Sequence, residues 1–221
     1  MNRAVHAGSD EDLIRRCALG QSEALRMLLE RYEPLLRPFL LRLLQDGEDT
    51  EDVLCDVFLR LWRTAGRFRG ECAPATWIHR IAATSATDLL RRRQVAGRLS
   101  IPLSDAVAAM AAPTENEPDQ ILLQNERWAR CAALAQLALA ALPAEERVAA
   151  TLHYLEGLSY RQIAELIAAP VTTVRMRLFR ARRRMHARLR PMLDDEEWLL
   201  LESPDTQSSG STLYLCVDGN G

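Results

Sequence analysis

The sequence predicts an all-helical chain of two small domains joined by a linker, and three observations carry that expectation. Apolar residues recur at spacings of three and four almost everywhere before Leu193, strand-like alternation is missing, and prolines, glycines and acidic clusters interrupt the pattern at helix-length intervals. The first periodic segment places Leu25, Leu28, Leu29, Tyr32, Leu35, Leu36 and Leu40 on one face. Pro34 and Pro38 fall inside it and predict a kinked or split helix, because each removes a backbone donor. Asp46-Gly47-Glu48 marks its stop. A second helix is expected with Thr50, Glu51 and Asp52 as its cap and acidic first turn. Its apolar stripe is Val53, Leu54, Val57, Phe58, Leu61 and Trp62, and Asp52, Asp56, Arg60 and Arg63 mark its wet side. After a turn through Gly66 and Gly70, a third helix is expected from Pro74 to Arg93. It buries Trp77, Ile78, Ile81 and Leu89 and ends in Arg91, Arg92 and Arg93, where cations suit the helix dipole.

Residues 10–95 form the first domain on this reading. The linker, residues 96–120, carries three prolines, many alanines and, after Arg98, only acids as charges, a composition with little core of its own. The second domain, residues 121–190, opens with an Ala/Leu-rich helix from Ile121 to Leu142 and breaks at Pro143. It resumes from Ala144 to Leu155, breaks at Gly157, and closes with two further helices. The C-terminal tail, residues 191–221, joins an acidic knot at Asp194 to Glu197, a short apolar run from Trp198 to Leu201 and a Ser/Thr/Gly-rich end, and is expected to be largely mobile.

Composition excludes several classes of protein. With 221 residues, nearly half of them apolar, the chain can bury one or two cores. Its longest apolar runs, Leu35 to Leu44 and Cys131 to Leu142, are too short or too interrupted to cross a bilayer. Met1 to Asp12 turns acidic where a signal peptide needs a hydrophobic stretch, so a cytoplasmic protein without membrane insertion is expected. Cys17, Cys55, Cys72, Cys131 and Cys216 are scattered without a CxxC pair, and Cys72 with His79 is too sparse a pair for zinc; neither metal nor cofactor is expected. His6, His79, His153 and His186 lie far apart, no Gly-rich phosphate loop is present, and no nucleophile stands with a base, so the chain does not read as an enzyme.

The net charge of −2 conceals a strong segregation, in which every basic side chain is arginine. Nine arginines against one acid, Glu165, lie from Arg161 to Arg190, whereas Asp105, Glu115, Glu117, Asp119 and Glu126 occupy a stretch without a cation. A basic end and an acidic middle imply different partners.

The basic end contains a helix-turn-helix pattern. In Leu158 to Ile167, Ser159 can cap a helix, Ile163, Leu166 and Ile167 supply its buried face, and Ala164 is small enough for a close crossing. Pro170 biases Ala169 out of the helical region and suits the start of the next helix, in which Val174 and Leu178 point inward. Thr172, Thr173, Arg175, Met176 and Arg177 then occupy the end that enters the major groove. There, Arg can bind guanine bidentately and Thr can meet thymine methyls. Arg180, Arg182, Arg183 and Arg184 lie further along, where phosphate contacts give affinity without sequence choice.

Two separate blocks together resemble the extracytoplasmic-function sigma factors of the sigma-70 family, over Asp10 to Arg190. Asp49-Thr50-Glu51-Asp52-Val53-Leu54-Cys55-Asp56-Val57-Phe58-Leu59-Arg60-Leu61-Trp62-Arg63 resembles the family's polymerase-binding helix, which docks on the coiled coil of the beta-prime subunit. The resemblance assigns that role to Asp49, Glu51, Asp52, Asp56, Phe58, Arg60, Leu61 and Trp62. Phe68-Arg69-Gly70-Glu71, Thr76 to Ala82 and Asp88 to Arg93 resemble the region that captures and melts the minus-ten element. Phe68, Arg69, Trp77, Arg80, Thr84, Ser85, Asp88, Arg91 and Arg92 are its candidates here. The helix-turn-helix resembles the module that reads the minus-thirty-five element. Core RNA polymerase through its beta-prime and beta subunits, promoter DNA and an anti-sigma factor are the partners the resemblance implies, with the acidic linker threading polymerase channels otherwise used by nucleic acid.

Stacking chemistry fits the melting role, since aromatic and cationic side chains can hold an unstacked base. Phe68, in a loop beside Arg67 and Arg69, is the better stacking candidate; Trp77, on the apolar stripe, is expected in the core. The sequence also departs from the family pattern. Thr84 or Ser85 stands where relatives often have Asn, removing an amide's bidentate readout. Ala168 and Thr172 replace frequent glycines, and Met176 a frequent serine. If the turn needs a left-handed residue, Ala168 costs about 1 kcal/mol. The alternative function is a stand-alone helix-turn-helix regulator of duplex DNA. A further one is a protein that keeps only polymerase or anti-sigma binding.

Overall fold

The computed structural model describes residues 8–97 and 120–195, with side chains described throughout except at 120–129. The linker from 98 to 119, the tail from 196 onward, His6 and Cys216 lie outside the described residues. Every regular element among the described residues is helical, in two compact units: one built mainly from helices before residue 91, the other mainly from helices after residue 119.

The first unit opens with a helix that the periodicity analysis missed, α1 (Asp10–Ala18). Ser9 caps it, its Oγ accepting from the Asp12 N–H at 3.2 Å, and Asp10, Glu11 and Asp12 place negative charge on the positive end of the helix dipole. Leu13, Ile14 and Cys17 are buried, and burial pushes the Cys17 thiol pKa up. Asp10 is tied to α2 (Ser22–Leu44): it accepts a hydrogen bond from Tyr32 Oη at 2.5 Å and pairs with Arg31.

Of the expected kink or split at Pro34 and Pro38, the split is corrected, because α2 runs as one element through both prolines. The two prolines are exposed and four residues apart, so the carbonyls they deprive of a partner lie toward solvent, while the opposite face buries Leu28, Tyr32, Leu36, Leu40 and Leu43. The helix ends at Gln45, which takes a left-handed conformation with φ 57°.

The start of α3 (Gly47–Thr64) is also corrected: its cap is Asp46, which accepts from the Asp49 N–H at 2.9 Å. Thr50 lies inside the helix, buried, its hydroxyl donating to the Asp46 carbonyl at 2.6 Å. An aspartate one residue ahead of a glycine offers the capping oxygen before Thr50 can, and Glu48 and Asp49 become the acidic first turn. Val53, Leu54, Val57, Phe58 and Leu61 are buried as expected, with Trp62 half-buried. A 3₁₀ turn at Ala65–Arg67 leads to α4 (Pro74–Val95). There Ile78 is fully buried, whereas Trp77, Ile81 and Leu89 are half-buried; Ala82, Ala83, Ala86 and Leu90 complete the inner face.

In the second unit, α5 (Gln120–Ala140) buries Cys131, Leu134, Ala135, Ala138 and Leu139. After Pro143, α6 (Ala144–Ala150) continues into one π-helical turn at Thr151–Leu155, closed by the Glu156 N–H donating to the Thr151 carbonyl at 3.2 Å. Arg147 is buried in α6 and donates Nη1 to the Ala140 carbonyl at 3.0 Å, placing a cation at the negative end of α5. Gly157, with φ 67°, turns the chain into α7 (Tyr160–Leu166), and α8 (Val171–Leu189) follows with Pro170 as its preceding cap residue.

Candidate protein and nucleic-acid interfaces

Ser159 and Gln162 form a reciprocal cap at the entry to α7. The Ser159 N–H donates to Gln162 Oε1 at 2.9 Å, the Ser159 hydroxyl donates to the same oxygen at 2.8 Å, and the Gln162 N–H reaches Ser159 Oγ at 3.4 Å. Ile163, Ala164 and Leu166 are buried, with Ile167 half-buried. The turn residue Ala168 has φ 50°, the left-handed conformation that glycine adopts without strain.

Helical phase sorts α8 into faces. At about 100° per residue, Val174, Leu178, Ala181, Met185 and Leu189 make the buried stripe. The most outward ridge is Thr172, Met176, Phe179 and Arg183, with Arg175 and Arg180 also exposed beside it. Met176 is 49% and Phe179 61% exposed, so two apolar side chains stand in the middle of a cationic surface. Phe179 is absent from the expected set, although its spacing from Met176 and Arg183 places it on that ridge. Thr173, Arg177 and Arg182 are half-buried on the flanks, and Arg184 lies on a flank with Nε 3.0 Å from Glu146 Oε2.

In the first unit, a cavity of about 590 Å³ is lined by Arg67, Phe68, Arg69, Cys72, Trp77 and Arg80, among others. Trp77 was expected in the core; instead its ring lies 5.1 Å from that of Phe68 at an interplanar angle of 48°, and both walls of the pair are half-buried. Aromatic faces and guanidinium groups therefore converge on one concave surface.

Along α4, Trp77, Arg80, Thr84, Asp88 and Arg91 recur at spacings of three and four on one side, with Arg92 exposed beside them. Thr84 is exposed, its hydroxyl donating to the Arg80 carbonyl at 2.8 Å. Ser85 is 1% exposed and is corrected as a surface candidate: one residue of helix rotates it about 100° into the interior.

The residues assigned to a protein partner on α3 separate in the same way. Glu51 and Asp52 are exposed, and Asp56, Arg60 and Trp62 half-buried. Leu61, fully buried, and Asp49 and Phe58, also buried, belong to the interior, because the apolar stripe and, in the first turn, Asp49 and Thr50 face inward there. Leu59, absent from the expected set, is 53% exposed. It borders an apolar groove of about 390 Å³ between α2 and α3, walled by Leu25, Leu29, Leu54 and Phe58. Arg37 holds the rim together, pairing with Glu33 at 2.6 Å and with Glu51.

Among the described residues, no group of three or more His, Cys, Asp or Glu is placed to hold a metal ion, and no helix is long and apolar enough to cross a membrane.

Comparison with known proteins finds two family matches in chain order. The Sigma-70 region 2 family matches residues 28–95, and the Sigma-70, region 4 family matches residues 133–185. The RNA polymerase sigma-H factor of Pseudomonas aeruginosa is 33% identical over 192 residues, covering 83% of this chain and 95% of the relative. The ECF RNA polymerase sigma-E factor of Escherichia coli K12 is 32% identical over 196 residues, covering 84% of this chain and 96% of the relative. A solved structure described as CnrH in complex with the cytosolic domain of CnrY has a similar fold, with a TM-score of 0.51, 21% identity, and coverage of 83% of this chain and 99% of that one.

Proposed function

Because the chain belongs to the sigma-70 family of RNA polymerase sigma factors, in its extracytoplasmic-function group, we propose a division of labour among its surfaces in promoter-specific initiation. The chain is a sigma factor that binds core RNA polymerase and directs it to promoters. The observation that carries this function is the pair of family matches, region 2 and then region 4, in one chain whose relatives align over nearly their whole length. A stand-alone helix-turn-helix regulator has no use for the first of them.

On our reading, the exposed side of α3, with Glu51, Asp52, Asp56 and Trp62 beside the Leu59 groove, meets the polymerase. The outer ridge of α8 enters the upstream duplex at the minus-thirty-five element. Arg175 reads base edges from the first turns of the helix, Thr172 and Met176 offer apolar contacts to thymine methyls, and Arg180 and Arg183 bind phosphates. Phe179, apolar and central, adds packing against the groove wall. The Phe68–Trp77 cavity with Arg69 and Arg80 receives an unstacked base of the minus-ten element, while Thr84, Arg91 and Arg92 follow the strand along α4. The covalent chemistry is left to the polymerase, and the cytoplasm is the compartment this role requires. An anti-sigma factor remains a proposed partner, as does regulation by the tail after Pro191, whose acids follow the arginine run.

The test is transcription from a promoter library by purified core polymerase with and without the chain. New start sites sharing paired upstream and downstream elements are expected. No added initiation from a folded, DNA-binding preparation would overturn the assignment.

A further inference from the structure

Glu146 stands in the first turn of α6 and is only 7% exposed. A carboxylate at that depth needs a counter-charge, and Arg184 of α8 supplies it, with Nε 3.0 Å from Glu146 Oε2. Arg184 lies between the buried residues Ala181 and Met185 and the outer surface, on the flank turned toward α6; Arg183 is rotated about 100° away onto the outer ridge. Arginines that are neighbours in sequence thus have different electrostatic surroundings. An arginine that serves a phosphate must give up its resting partner or share it. If Arg184 did so, Glu146 would be left charged, buried and uncompensated, which opposes the exchange.

We propose that Glu146 is a positioning residue for DNA binding: it withdraws Arg184 from the phosphate-contacting set and fixes the rotation of α8 about its own axis. Arg180 and Arg183 are left as the backbone contacts. This inference rests on the reading of α8 as the duplex-binding helix, and it removes one arginine from the set that sequence position alone assigns to phosphate.

The experiment measures binding of the full chain to a short duplex carrying its upstream element, and to a scrambled duplex, over a range of salt concentrations. Each phosphate contact contributes about 0.9 to the slope of log affinity against log salt. Arg183→Gln is expected to lower the slope by about 0.9, and Arg184→Gln to leave the slope in place while weakening preference for the matched duplex. Glu146→Gln frees Arg184 and is expected to raise the slope by about 0.9 with reduced preference for the matched duplex. In Glu146→Gln/Arg184→Gln the slope returns to that of the parent.

A slope lost equally in Arg184→Gln and Arg183→Gln would overturn the proposal. So would a rise in Glu146→Gln that persists in the double variant, because Arg184 is absent there and a freed Arg184 could not be its source. Should Glu146→Gln fail to fold by circular dichroism, Arg184→Gln decides alone, since that side chain is 58% exposed. An Arg183→Gln slope identical to the parent's would instead remove the duplex-binding reading of α8, and the proposal with it.

Discussion

Arg60 of α3 donates Nη1 to the Asp88 carboxylate of α4 at 3.0 Å, while its Nε lies 2.7 Å from Asp56. One of these residues was expected at the polymerase and the other at the promoter; they are the two ends of a bridge inside the first unit. Both side chains are about one-third exposed, so the pair contributes at most about 1 kcal/mol. In a double-mutant cycle of Arg60→Gln and Asp88→Asn, thermal unfolding is expected to show a coupling of about 0.5 to 1 kcal/mol. Strictly additive effects would mean that the bridge holds nothing.

The reciprocal cap at Ser159 satisfies backbone donors at the start of α7, which has no other side-chain cap among the described bonds. Ser159→Ala is expected to destabilise the second unit by about 1 kcal/mol, with Gln162→Ala costing less. Denaturant midpoints at unchanged slope are the measure; an Ala variant as stable as the parent refutes the cap's contribution.

Ala168 carries the opposite sign. Its φ of 50° strains any residue with a β-carbon, so Ala168→Gly is expected to stabilise the helix-turn-helix by about 1 kcal/mol despite glycine's greater freedom when unfolded. A lower melting temperature in the glycine variant would show that the surroundings relieve the strain.

On α8, Arg175→Ala is expected to reduce initiation only at promoters sharing certain upstream bases, whereas Arg183→Ala should weaken all of them and flatten the salt dependence. Phe179→Ala, at the centre of the outer ridge, is expected to reduce use of matched upstream elements severalfold without changing the salt slope, because it removes apolar contact and no charge. Indistinguishable profiles of the three variants across a promoter library would reject this division.

For the aromatic cavity, Phe68→Ala is expected to slow promoter opening by about fivefold to a hundredfold while leaving upstream duplex binding unchanged, since loss of one base–aromatic stack is worth about 1 to 3 kcal/mol. Reactivity of unpaired thymines follows opening directly. Normal opening with Phe68→Ala, and with Trp77→Ala as the second variant, would remove the cavity from the melting step.

Helical periodicity in the amino-acid sequence was sufficient to determine an all-helical chain, the order of its main helices and the helix-turn-helix, while the family was legible only through the resemblance of its two motif blocks. Each of those depends on local chemistry: an apolar face every three or four residues, a Ser-x-x-Gln cap before α7, and an arginine run on one helix. Neighbouring residues of one type were not separable in that way. Thr84 and Ser85, Arg183 and Arg184, Leu59 and Leu61 differ in sequence by one or two positions, yet a helix turns about 100° per residue and sends one to the surface and the other toward the interior or a buried partner. The α2 prolines, the Phe68–Trp77 pair and the Glu146–Arg184 contact were likewise decided by which side of each helix its neighbours covered. Burial changes the cost of a lost backbone bond, an uncapped donor or an unpaired charge by more than local propensity does, and burial is a property of the packed chain.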